Sequence, residues 1–129
     1  MMEHLKRMLF VCAVPLLLLA GCMKFGVAET QITKCEVDEN NVLTVEATIL
    51  DGGGCKYFIE QGFCYSLFPE PSLTDIYSTS IITAENSDTT WFSQEINLPM
   101  ADTAYYVRAF VKNNAGLSYS NQMKASTKQ

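Results

Sequence analysis

Leu43-Thr44-Val45-Glu46-Ala47-Thr48-Ile49 decides the fold. Apolar and polar residues alternate without a break, so an extended chain sets Leu43, Val45, Ala47 and Ile49 on one face and Thr44, Glu46 and Thr48 on the other. Alternation in β-branched residues is the pattern of a half-buried strand. Asn40-Asn41 turns the chain into it, and Asp51-Gly52-Gly53-Gly54 breaks it.

The same period continues on both sides. Residues 30–37 read as the strand before it. Residues 59–67 read as the strand after it, with Phe63 and Tyr65 on one face and Pro69 and Pro71 at its end. A weaker, edge-like strand is expected at 76–83, then a polar loop at 85–89, then a strand at 91–98 carrying Phe92, Ile96 and Leu98. Tyr105, Val107, Ala109 and Val111 alternate with Tyr106, Arg108 and Phe110, and two partly apolar faces mark a central strand. Asn113-Asn114-Ala115-Gly116 is a hairpin turn, since Asn and Gly tolerate positive φ, and 117–127 is the returning strand. No helical stripe and no internal repeat interrupts this. Seven short antiparallel strands predict an all-β, two-sheet sandwich of the immunoglobulin-like class.

Gly62-Phe63-Cys64-Tyr65-Ser66, Pro69-Glu70-Pro71-Ser72, Leu98-Pro99, Thr103-Ala104-Tyr105-Tyr106-Val107-Arg108-Ala109-Phe110, Asn114-Ala115-Gly116 and Tyr119-Ser120-Asn121 together resemble the fibronectin type III-like modules of bacterial envelope lipoproteins. The resemblance runs over about residues 30–127. It implies a sandwich fold and a role as a module, with no common active site to transfer. The physical reading adds a structural role for Tyr105: a tyrosine opening the penultimate strand, its hydroxyl bonded back to the preceding turn, is the tyrosine corner of such sandwiches.

The other end of the chain carries an address. Lys6 and Arg7 precede an apolar run from Met8 to Leu19, which closes on Leu19-Ala20-Gly21-Cys22. A charged start, a short apolar stretch and small residues before a cysteine form a signal peptide, and the run is similar to bacterial lipoprotein signals. That resemblance implies cleavage after Gly21, acylation of Cys22 and a membrane attachment made by covalent lipid. Several acyl chains, each CH₂ worth about 0.8 kcal/mol when buried, hold a protein permanently. The expected organisation is a signal at 1–21, a lipidated tether at 22–29 and a sandwich at 30–129. Met23 follows Cys22 where inner-membrane retention uses aspartate, which implies the outer membrane; neither its periplasmic nor its surface leaflet is singled out.

Composition narrows the chemistry. Removing residues 1–21 leaves 108 of the 129 residues, enough for one domain, and moves the net charge from −5 to −6. An acidic domain is a poor nucleic-acid partner. The single histidine, His4, leaves with the signal, so imidazole-based nucleophilic catalysis and histidine zinc sites have no players. The carboxylates fall mainly in turns, where they are solvated turn formers. No enzyme, metal or cofactor is expected. Beyond Cys12 and Cys22, three thiols remain: Cys35, Cys55 and Cys64. One bridge among them is allowed by an oxidising envelope, with Cys55–Cys64 and Cys35–Cys55 equal contenders.

Two groups could bind something. Tyr106, Arg108 and Phe110, with Ser118 and Ser120 beside them, are expected to project from the sheet face opposite the core as an aromatic and arginine platform. The plainer reading is cross-strand packing. Asp51, Gly52, Gly53, Gly54 and Lys56 form a glycine-rich loop. A phosphate cradle would feed a helix N-terminus, whereas this loop joins two strands and reads first as a connector. The expected function is a lipid-anchored, non-enzymatic binding or adhesion module for a protein or glycan. The alternative is an assembly component that pairs with another envelope protein through the edge strand.

Overall fold

The computed structural model describes residues 25–129; the signal segment and Cys22 lie outside them. Eight strands follow in order: β1 (Glu29–Val37), β2 (Val42–Asp51), β3 (Phe58–Ser66), β4 (Thr79–Ser87), β5 (Trp91–Asn97), β6 (Ala104–Asn113), β7 (Gly116–Tyr119) and β8 (Met123–Ser126). No helix occurs among the described residues. A three-stranded sheet runs β1-β2-β5, and a larger sheet runs β4-β3-β6-β7, with β8 also paired to β6. All pairings are antiparallel.

The alternation of β2 sets the architecture. Leu43, Val45, Ala47 and Ile49 are buried and face Phe63, Tyr105, Val107, Ala109 and Val111 from the larger sheet in one shared core. Phe63 meets Phe92 across the gap, ring centroids 5.1 Å apart. Each fully buried side chain of this kind contributes about 1.5–3 kcal/mol. The Asn40-Asn41 turn forms as its residues dictate: Asn41 takes φ 60°, and the Asp38 carboxylate accepts the N–H groups of Asn40 and Val42.

The chain departs from the sequence expectation in two places. β4 lies at an edge, but it begins at Thr79 instead of 76 and continues to Ser87 through most of the expected 85–89 loop. Its start is delayed because Ser72, Asp75 and Ser78 bond to one another and to local N–H groups, which holds 72–78 in turns. The returning strand is split as well. At Ser120-Asn121-Gln122 side chains replace ladder bonds: Ser120 Oγ accepts the Ala109 N–H, and Asn121 Oδ1 accepts the Ile32 N–H of β1. That second bond laces the two sheets together beside a register shift in β1.

The strands give the molecule two ends. The β2–β3 loop, the β6–β7 turn and the entry of the chain before β1 lie at one end. The β1–β2 turn, the β3–β4 connection and the β5–β6 loop lie at the other.

Candidate functional site

At the entry end the glycine-rich loop is a clamp. Asp51 Oδ1 accepts the Gly53 N–H at 2.8 Å, and the Cys55 N–H donates to Gly52 O at 3.3 Å. The incoming chain is gripped from two sides. The Gly26 N–H donates to Gly53 O at 2.9 Å, while Asn113 Nδ2 donates to Gly26 O at 2.8 Å and Gly52 O at 3.2 Å. Gly53 sits at φ 70°, and a Cβ there would lie 1.9 Å from Gly26 O. Two of the loop N–H groups that a phosphate would use, those of Gly53 and Cys55, are therefore spent on Asp51 and Gly52, and Gly53 serves a close backbone approach. Asn113 was legible only as a hairpin residue. Its Oδ1 does cap the turn by accepting the Ala115 and Gly116 N–H groups.

Gly54, Cys55 and Lys56 form one wall of a shallow hollow of about 430 Å³, completed by Phe25, Tyr57 and Ile59 among others. Phe25, Tyr57 and Ile59 are all exposed. Lys56 brings the only charge of the lining.

The expected platform on the larger sheet is not open, and this corrects the sequence reading. Phe110 is fully buried, its ring lying over Gly62, the cross-strand neighbour that has no side chain to obstruct it. Arg108 is committed to its own chain: Nε and Nη2 donate to Pro71 O at 2.9 and 2.6 Å. Its guanidinium lies 4.1 Å from the centre of the Tyr119 ring, an arrangement favoured by the ring quadrupole. The Tyr119 hydroxyl in turn accepts the Leu73 N–H. Tyr106 is half-buried and Ser120 buried, while Ser118 pairs with Val111 and so falls on the core side. The segment 67–78 thus folds back over this face, burying its own Pro71 against the sheet and Cys64 beneath it.

That strap is the feature sequence reasoning missed. It is pinned at its middle by Arg108 to Pro71, Tyr119 to Leu73 and a bond from the Glu70 N–H to Gln122 Oε1. Its two ends, next to β3 and β4, carry Leu67, Phe68, Ile76 and Tyr77, all exposed, Ile76 at 87%. Phe68 and Tyr77 meet edge to face at 5.4 Å. The available signal was the placing of Leu67-Phe68 and Ile76-Tyr77 inside a Pro- and Ser-rich connection, where large apolar residues have no strand to serve.

Tyr105 is buried, and its hydroxyl accepts the Met100 N–H at 3.1 Å from the β5–β6 loop. The three cysteines are free thiols in separate places: Cys35 in β1 against the core, Cys55 in the clamp loop, and Cys64 under the strap. Burial raises the Cys35 thiol and pushes Cys64 up to about 11, the latter opposed by the nearby Arg108 charge. Among the described residues no group of three potential metal-ligating side chains converges. Compared with known proteins, the chain matches no protein-family profile and no curated protein.

Proposed function

We propose that this chain is a lipid-anchored, non-enzymatic binding module of the bacterial envelope, held at Cys22 in the outer membrane, whose binding surface for a protein or glycan is the 67–78 strap. The carrying observation is the strap itself. It is fixed to the sheet at its middle and bears an exposed cluster of Phe68, Ile76 and Tyr77, at the end of the strands opposite the chain entry. Large apolar side chains held open on a rigid loop are characteristic of recognition sites.

A fibronectin type III-like sandwich is the architecture of this reading. It is supported by β4 joining the sheet of β3 and not that of β1 and β2, which separates it from the constant-type immunoglobulin order, and by the Tyr105 hydroxyl bond. The anchor is supported by the apolar run from Met8 that closes on Leu19-Ala20-Gly21-Cys22. The edge-pairing alternative has one observation of its own, the nine-residue outer strand β4 with Ile82 exposed.

Photo-crosslinking in cells separates these readings. A crosslinker at Ile76 is expected to give a discrete adduct that Tyr77→Ser removes, while one at Glu95 on the exposed face of the small sheet gives none. No adduct from Ile76, or equal adducts from both positions, overturns the strap as binding surface. An adduct from Ile82 alone selects edge pairing. In the same cells Cys22→Ser is expected to remove the chain from the acylated membrane fraction; an unchanged acylated band overturns the anchor.

A further inference from the structure

We infer that the entry end of the sandwich does not hang free of the bilayer but seats on it, through exposed Phe25, Tyr57 and Ile59 around the hollow and Leu50 and Trp91 beside it. The inference rests on the lipid anchor at Cys22 proposed above.

Chain length brings this end to the membrane. Gly26 is gripped by Gly53 and Asn113, so only four peptide steps separate it from Cys22. Fully extended, they reach roughly 14 Å at about 3.3–3.6 Å each. The strap end stands a strand length away, about 30 Å for nine residues at about 3.3 Å, and cannot be brought down by such a leash. The clamp therefore fixes which end faces the lipid.

The side chains at that end suit a headgroup boundary. Phe25, Leu50, Tyr57 and Trp91 are 43%, 58%, 58% and 50% exposed. Leu50 and Trp91 lie near one another on the outer face of the small sheet, Trp91 pairing with Thr48. Phe25, Tyr57 and Ile59 share the hollow on the other side. Aromatic side chains with a polar tip settle at the membrane interface, and a lysine such as Lys56 extends its ammonium toward phosphates while its stem stays among apolar groups. Of the two carboxylates flanking Lys56 in sequence, Asp51 is turned to the Gly53 N–H, and Glu60 lies within β3. The occupant is accordingly a zwitterionic lipid surface, entered by apolar and aromatic groups and not by a basic patch.

Trp91 is the only tryptophan of the chain, so it reports directly. The full chain is purified from membranes, its mass measured for acyl groups on Cys22, and then reconstituted into phosphatidylcholine vesicles brominated near the top of the acyl chains. Roughly twofold quenching of Trp91 is expected, because the indole settles at headgroup level. The double variant Trp91→Phe, Ile76→Trp, which moves the reporter to the strap, is expected to stay unquenched. Phe25→Ser with Tyr57→Ser is expected to reduce the quenching of Trp91. An acylated protein with neither reporter quenched overturns the seating and leaves the anchor standing. Equal quenching of both overturns the end-on orientation. A mass without acyl chains on Cys22 overturns the anchor, and the seating with it.

Discussion

Gly53 combines a left-handed backbone with a neighbour that leaves no room for a side chain, and the two costs add. Gly53→Ala places a methyl group where Gly26 O now lies and forces an alanine into positive φ. The clamp must open, losing the bonds from Gly26 and Asn113. A destabilisation of about 2–4 kcal/mol is expected in urea unfolding. Gly26→Ala meets nothing within 4 Å and is the matched control, expected to be near neutral. Equal effects of the two substitutions would show that the close approach is not what selects glycine. The glycine run was visible in the sequence, but its purpose was not. A Gly-Gly-Gly loop looks the same whether it cradles a ligand, flexes, or lets another stretch of backbone pass at contact distance.

On the scale of elements, the strap and the sheet beneath it depend on Arg108. Arg108→Ala removes two charge-assisted donors from Pro71 O and leaves it only the weak Cys64 thiol at 3.5 Å. The loss is about 2 kcal/mol, and it falls on the strap more than on the core. Chymotrypsin is therefore expected to cut first at Tyr77 in the variant, the Phe68 bond being blocked by Pro69, while the two sheets remain protected. Arg108→Lys restores the charge but not the fork or the stacking on Tyr119, so it should rescue incompletely. Unchanged cleavage in Arg108→Ala would show that Tyr119 and the local turns hold the strap without it. The central position of β6 was legible because both of its faces are apolar. What covers its outer face was not, since the covering segment is a connection with no periodicity.

The whole molecule carries a titration at its alkaline limit. The Cys64 thiol ionises near 9.0 in an ordinary setting and is pushed up to about 11 in the fold by burial, so the folded protein holds its proton where the unfolded chain has released it. Stability contributed by this group is complete below pH 9 and is lost as pH rises toward 11. Unfolding free energies measured across that window should fall more steeply for the parent than for Cys64→Ala, in which the other alkaline titrations remain. Parallel curves would mean that the thiol is not desolvated beneath the strap. The same burial predicts slow alkylation of Cys64 relative to Cys55 in the clamp loop.

The sequence by itself determined that the chain is all-β, and it placed most strands, the Asn40-Asn41 turn and the Asn113–Gly116 hairpin, because period-two burial and turn chemistry are local properties. Tertiary structure decided which surfaces are free. Tyr106, Arg108 and Phe110 alternate outward as any exposed face would, and only the return of 67–78 onto Arg108 and the gap at Gly62 that takes the Phe110 ring close that face. Asn113 and Gly53 lie sixty residues apart, and only the fold brings both to Gly26. Alternation reports which face of a strand a residue occupies. It carries no information on what long-range segment will lie upon that face.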